Sequence, residues 1–307
     1  MRQNVEIVYR RATTKDLRAV ARVFARTIDR LNKDHGFFDG PTRVSPPNPQ
    51  YSFWLKKNPD SFFVAETDGE IVGYSFSYLR GPLWFLADLF VLPGNQGKGI
   101  GKTLIEKTLG SLCDRRVVTK AVITPAFNPV SASLYMQFGM LPRQPVYYAS
   151  APRTWVEKSL PPERREIEVT EVAGDSAVDV ADDIHQRVLG IPAGWHNEFF
   201  LREQHASCLV FKRGDSPEGY AFVRSDGGVG PFLVAHRSSF RPAFLSALRS
   251  AADMGCDGIT VLFAGTNSEA ADVCLRLGFR IGYPLLFMSS EPMGDWDNYL
   301  FHSPAFM

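Results

Sequence analysis

Asp88 stands as an isolated acid among Leu86, Ala87, Leu89 and Phe90, near the end of an apolar run that continues through Val91 and Leu92 to Pro93. A carboxyl in such company loses hydration, which raises its pKa and makes it a better base near neutral pH. Its other possible task is to hold a backbone amide or an ammonium group without moving a proton. The chain then runs Gly94-Asn95-Gln96-Gly97-Lys98-Gly99-Ile100-Gly101-Lys102, a glycine-rich loop opening a helix with Ile100, Leu104, Ile105, Leu109 and Leu112 at helical spacing. Glycines let a ligand approach the backbone closely, and the first N–H groups of a helix have no intrahelical acceptor. A strand, a glycine loop and a helix N-terminus together suit a phosphorylated ligand. The plainer alternative is a tight turn with no ligand, with Lys98 and Lys102 as solvated lysines rather than charges beside a diphosphate.

Two nucleotide templates do not fit. No G-x-x-x-x-G-K-[ST] run occurs, and Gly97-Lys98-Gly99-Ile100-Gly101 has the wrong spacing for a dinucleotide fingerprint. A second segment, Asn128-Pro129-Val130-Ser131 through Tyr135 to Gly139, has an N-cap, a proline at the first helical position and a glycine stop. The plainer alternative for Tyr135 is an aromatic packing residue on that helix.

The run Val91-x-Pro93 followed by Gln96-x-x-Gly99-x-Gly101 resembles the acetyl-CoA pyrophosphate loop of the GCN5-related N-acetyltransferases, the GNAT superfamily. Asn128, then Tyr135 and Gly139, resembles the other motif of that superfamily, in the expected order. The resemblance implies acetyl-CoA as cosubstrate and transfer of its acetyl group to a primary amine of a small molecule. By the same resemblance the backbones of Leu89, Val91 and Leu92 meet the pantetheine arm. Gln96, Gly97, Lys98, Gly99, Ile100, Gly101 and Lys102 then hold the diphosphate, with Asn128 and Ser131 as further cofactor contacts. Asn128 reads more readily as a helix cap.

Such a transfer needs a neutral amine, although an alkyl ammonium near the lysine reference pKa of about 10.4 is almost wholly protonated at pH 7. The departing thiolate benefits from a proton. The resemblance makes Tyr135 the general acid and Asp88 the general base, with Glu66 a weaker rival. It also makes the segment from Asn32 to Tyr51 line the acceptor pocket, with Asp34, His35 and Asp39 able to hold a cation. An acyl-CoA sensor or scaffold without turnover, and a protein or peptide amine as acceptor, stay open.

The elements that must position these groups repeat along the chain. Asn128…Tyr135…Gly139 is echoed by Asn267…Cys274…Gly278, 139 residues later. The hairpin Phe62–Ala65 with Gly73–Phe76 is echoed by Cys208–Phe211 with Gly219–Phe222, with turns at Asp68-Gly69 and Gly214-Asp215. Strands are expected at 121–124 and 258–262. A link lies within 151–165, rich in proline and charge, although 147–160 could add a last strand to the first half. We therefore expect an α/β (α+β) chain of two tandem GNAT-like domains, 1–155 and 164–307, each a mixed, mostly antiparallel sheet flanked by helices.

The second copy is chemically poorer. Matching Val234 to Val91 puts Ser239 at Gln96, Pro242 at Gly99, Phe244 at Gly101 and Pro231 at Asp88, while Cys274 replaces Tyr135. Proline offers no N–H and phenylalanine blocks close approach. That half is expected to be degenerate, with a structural, acceptor-pocket or regulatory role.

Length and composition bound the rest. The 307 residues suit two domains, and 34 basic against 33 acidic residues give a net charge of +1. That balance makes no case for nucleic acid or a membrane surface. No stretch approaches the roughly 20 apolar residues of a membrane span, and the start, Met1 to Glu6, is unlike a signal peptide. Cys113, Cys208, Cys256 and Cys274 are widely spaced, and the six histidines show no ligand spacing, so no metal or disulfide is expected. A cytoplasmic monomer or homodimer is the expectation.

Overall fold

The computed structural model describes residues 6–44, 48–112, 116–163, 166–214 and 216–307. Residues 1–5, Pro46, Pro47, Cys113, Arg165 and Asp215, and the expected domain start at 164, lie outside the described residues. The chain divides into two compact units, Met1–Val122 with Phe127–Leu141 and Ile123–Ala126 with Pro142–Met307. Among the described residues no helix is long and apolar enough to cross a membrane.

The first unit runs β1 (Val8–Arg11), α1 (Leu17–His35), α2 (Pro49–Lys57), β2 (Phe62–Thr67), β3 (Glu70–Arg80), β4 (Leu83–Val91), α3 (Ile100–Gly110), β5 (Thr119–Pro125) and α4 (Pro129–Gln137). Its strands lie in the order β1-β2-β3-β4-β5. The first four pair antiparallel, and β4 pairs parallel with β5. Alternation sorts β3 between two layers. Tyr74, Phe76 and Tyr78 face the α1–α2 side, where Trp54 stacks on Phe76 at 4.4 Å between ring centroids. Ser75 and Ser77 face α3, bonding Leu104 O and Thr108 Oγ1. Trp54, Tyr74, Phe76, Tyr78 and Phe85 are fully buried, so this aromatic layer carries much of the unit's core.

The second unit repeats the plan. It runs β6 (Leu141–Pro152), α5 (Arg153–Ser159), β7 (Glu168–Val172), α6 (Asp175–Leu189), α7 (His196–Glu198), β8 (Ser207–Arg213), β9 (Ser216–Val223) and β10 (Gly228–Val234). There follow α8 (Arg237–Asp253), β11 (Gly258–Ala264), α9 (Ser268–Arg276), β12 (Arg280–Ser289) and β13 (Tyr299–Phe301). The strand order is β12-β6-β11-β13-β10-β9-β8-β7. Of the span 147–160, left open as a last strand of the first half, the part up to Pro152 belongs to β6 of the second unit and Arg153–Ser159 form α5; β6 pairs antiparallel with β11 from Val146↔Ala264 to Pro152↔Gly258. The short strand β13 has no counterpart in the sequence reading.

Candidate active site

The candidate site is built on β4, and a one-residue bulge decides what that strand presents. Its register against β3 runs Val91↔Gly73 to Asp88↔Phe76, then jumps to Leu86↔Ser77, so Ala87 is the extra residue. Strict alternation would put Phe85 and Asp88 on opposite faces. The bulge puts them on the same face, and Asp88 enters the aromatic layer. There it is 7% exposed. Tyr74 donates to Asp88 Oδ2 at 2.8 Å, and the Tyr74 and Tyr51 hydroxyls lie 3.2 Å apart. Burial raises the Asp88 carboxyl to about 7, against the lowering effect of the Tyr74 hydrogen bond. The same burial, with Asp88 nearby, pushes both phenols far above the usual tyrosine range.

Hydrogen-bond phase along β4 orients the rest. Leu92 N–H donates to Val72 O at 2.8 Å, so Phe90 and Asp88 also turn their backbone groups toward β3. Leu89 and Val91 must then turn theirs the other way. Pairing with β5 runs only from Leu83↔Thr119 to Leu86↔Val122, so beyond Leu86 that edge of β4 is not part of the β4–β5 ladder. Val91 O accepts from Gln96 Nε2 at 2.9 Å and from Thr27 Oγ1 at 3.4 Å. Among the backbone groups expected at a pantetheine arm, Leu92 N–H and Val91 O thus already have partners.

The glycine loop leaves β4 through a turn at Pro93–Asn95 and enters α3 at Ile100. Gly97 and Gly99 have φ of 76° and 80°, and a Cβ at either would meet no other atom within 4 Å. The loop surface over them is therefore open, and L-residues would be strained there. Thr103 N–H bonds Gly99 O at 3.1 Å as the first helical bond, which leaves Ile100, Gly101 and Lys102 N–H without intrahelical acceptors. These donors fit a diphosphate. Gly101 has a different reason: a Cβ there would stand 3.2 Å from Leu134 Cδ2, so its smallness lets α3 approach α4. Ile100 is buried, Lys98 is exposed, and Lys102 reaches Glu106 at 3.8 Å on the helix surface.

Two expected cofactor contacts have local work. Asn128 Oδ1 accepts from Ser131 N–H at 3.2 Å while its Nδ2 donates to Ser131 Oγ at 2.8 Å, which caps α4. Tyr135 is buried on α4. The helices α3 and α4 follow the carboxyl ends of two adjacent parallel strands, the part of an open α/β sheet where ligands bind.

Elsewhere the expected groups do not gather. Glu66 is tied to Arg10 Nε at 2.9 Å, which takes it out of contention as a base. The segment expected to begin a loop at Asn32 is instead the last turn of α1, ended by Gly36. Asp34 pairs with Arg30 at 2.7 Å, and His35 Nδ1 donates to Leu31 O at 2.9 Å. Asp39 is exposed. The sequence reading did not bring Tyr74 or Tyr51 to Asp88. An acid flanked by apolar residues needs a donor from another strand, and a tyrosine in the neighbouring hairpin was the available signal.

Residues 27–140 match the profile described as the Acetyltransferase (GNAT) family. The L-2,4-diaminobutyric acid acetyltransferase of Nocardia farcinica is 30% identical over 149 residues, which cover 45% of this chain and 74% of that protein. The chain belongs to the GNAT acetyltransferase family. It is accordingly an acyltransferase, and the family's acyl donor is acetyl-CoA. A crystal structure from Pyrococcus horikoshii superposes with a TM-score of 0.77 at 17% identity, covering 100% of this chain and 99% of that one. The tandem GNAT protein of the clavulanic acid biosynthesis pathway gives 0.60 at 16% identity, covering 95% and 100%. At those identities the likeness is one of fold, and it extends over both halves. The family match lies in the first half, residues 27–140, while the shared fold includes the second.

Proposed function

We propose that the first unit transfers the acetyl group of acetyl-CoA to a primary amine of a small molecule. The observation that carries this reading is the buried Asp88 carboxyl, raised to about 7, on the strand that opens into the glycine cradle. Bound there, acetyl-CoA supplies the activated thioester. The N–H groups of Gly97 to Lys102 hold its diphosphate, and the Leu89 and Val91 edge of β4 aligns the pantetheine arm. The amine nitrogen forms a bond to the acyl carbon, the carbon–sulfur bond breaks, and Asp88 takes the proton lost from nitrogen. Tyr135 gives its phenolic proton to the departing sulfur, and solvent returns a proton from Asp88 to Tyr135 between turnovers. The second unit is assigned a structural role.

A diamino acid heads the list of acceptors, because the Nocardia relative is named for one. A monomer or homodimer in the cytoplasm completes the reading, in keeping with the free thiols of Cys208, Cys256 and Cys274.

The test follows thiol release from acetyl-CoA across a panel of small amines and amine-terminal peptides. Wild type should release thiol with at least one small amine, and kcat/KM should rise as pH passes through about 7, because the base must be ionised. Asp88→Asn should lose about 10²–10⁴-fold of that rate, and Tyr135→Phe should lower kcat at unchanged acetyl-CoA affinity. Tight acetyl-CoA binding without release on any amine would replace this reading with a sensor.

A further inference from the structure

The phenols beside Asp88 carry hydroxyls that phenylalanine would lack. Their hydroxyls form a chain whose direction can be counted. An ionised carboxylate only accepts, so the single Tyr74 proton is committed to Asp88 Oδ2. At 3.2 Å, the bond between the two phenols must then be donated by Tyr51 to the Tyr74 oxygen. Both donors therefore point toward the carboxylate, and both side chains are buried. Tyr51 sits on α2, the helix that follows the 36–48 segment, whereas Tyr74 sits on β3.

We propose that Tyr74 is a positioning residue for Asp88, and Tyr51 for Tyr74, so that the two phenols hold Oδ2 and leave Oδ1 to receive the proton of the amine. This rests on the assignment of Asp88 as the base. Donation to Oδ2 stabilises the ionised form in a site whose burial opposes it, so the pair sets the pH at which the base becomes available.

Among the described residues, the charges on the elements around Asp88 are engaged, turned outward or farther along the sheet: on β3, Arg80 is buried four residues beyond Phe76, the partner of Asp88, and Glu70 is exposed. From α1 the groups against β4 are the Phe24 ring, 4.9 Å from that of Phe90, and the Thr27 hydroxyl. The remaining titratable groups of α1 are engaged or outward: Asp29 holds Thr42, Arg30 holds Asp34, His35 holds Leu31 O, and Arg18, Arg22, Arg26 and Lys33 are exposed. On α2, Lys57 lies over the Phe53 ring and Lys56 is exposed. The β5 residues paired with Phe85 and Leu86 are Ala121 and Val122.

The test compares wild type, Tyr74→Phe and Tyr51→Phe in pH profiles of kcat/KM and in carboxyl-carbon NMR titrations of Asp88. Tyr74→Phe should move the acid limb and the Asp88 titration upward by roughly one pH unit, with kcat/KM below the limb falling about tenfold. Tyr51→Phe should move both in the same direction by less. A Tyr74→Phe enzyme slower at every pH, with limb and titration unmoved, would overturn the proposal by reducing Tyr74 to packing. If Tyr74→Phe does not fold, the Tyr51→Phe titration decides by the same criterion. Failure of the base assignment is separable: Asp88→Asn would keep its acetyl transfer, while the NMR titration would still report whether the phenols act on the carboxylate.

Discussion

The strand pair β4–β5 in the first unit and β10–β11 in the second are the same device with opposite outcomes. By the sequence match, Leu86↔Val122 corresponds to Val229↔Val261, and the parallel ladder stops at those pairs in both units. The bulge is repeated too, between Leu86 and Asp88 in one and between Val229 and Phe232 in the other. Beyond that point the units part. In the first, the edge at Leu89 and Val91 lies outside the β4–β5 ladder. In the second, β13 enters between the two strands, pairing Leu300 with Phe232 and Phe263, and Tyr299 with Leu233. The chain's own backbone thus pairs with Phe232, the counterpart of Leu89.

The loops differ in the same sense. Six residues that are loop before α3 are helix in α8, which starts at Arg237 rather than at the counterpart of Ile100. The unpaired N–H groups are thereby displaced by about 9 Å along the helix. Where Gly101 would stand, Phe244 is fully buried against Phe232 and Phe240. Ser239, the counterpart of Gln96, is bound to Glu218 at 2.7 Å and to Arg213 at 3.1 Å. Tyr220 keeps the place of Tyr74, but Pro231 replaces the acid, and burial pushes the Cys274 thiol up and out of reactivity. In the second unit the place of the glycine loop is filled with core side chains, and the strand plan is kept.

Exchanging the cradle should break the comparison most sharply. Gly99→Pro with Gly101→Phe gives the first unit the residues of the second, removes one N–H and drives a ring into Leu134. Calorimetry should find at least a hundredfold weaker acetyl-CoA binding, with folding retained by circular dichroism. Retained affinity would mean that the cradle does not hold the cofactor.

Next in size is the stability held back by Asp88. Its folded pKa of about 7 exceeds the ordinary 3.8, so its contribution is fully present below about 3.8 and is lost as pH rises through 7. Asp88→Asn should therefore be more stable than wild type at pH 8 by up to about 4 kcal/mol, and much less so at pH 5, in thermal melts. Pro231 in the second unit carries no such liability.

Truncating the inserted strand tests what replaced the cofactor. Leu300→Ala in β13 should cost about 2–4 kcal/mol of unfolding free energy. Acetyl-CoA stoichiometry should stay at one per chain, because Pro242 and Phe244 still fill the cradle; a second bound cofactor would show that β13 alone excludes it. The smallest effect concerns what both units kept. Asn128 and Asn267 each cap a helix, accepting from Ser131 N–H at 3.2 Å and Ala270 N–H at 2.9 Å. Alanine at either should cost about 1 kcal/mol, and Asn128→Ala should leave acetyl-CoA affinity within twofold.

Much of this was legible in the residues. The glycine spacing from Gln96 to Gly101, the Asn-Pro start of α4 and the echo between halves are local signals, because turns, caps and helix entries are set by a few neighbouring residues. The desolvation of Asp88 was also foreseeable from its apolar neighbours. The same reading placed Asn32 to His35 in a loop, where the structure continues α1, because the glycine that ends the helix is Gly36. It also left Glu66 as a rival base, since Arg10 is 56 residues away in sequence and meets it only through the β1–β2 pairing.

The sequence by itself determined the glycine-rich entry to α3, its replacement by Pro242 and Phe244 in the second copy, the Asn-capped helices, and the apolar neighbours of Asp88. Three things were decided only by tertiary structure. The bulge at Ala87 turned Asp88 into the aromatic layer, strand pairing brought Tyr74 and Tyr51 to it, and β13 entered the edge that the second copy would otherwise have offered. All three depend on register between segments far apart in the chain. A one-residue change in pairing reverses the face a side chain occupies, and no local pattern of residue types encodes that choice.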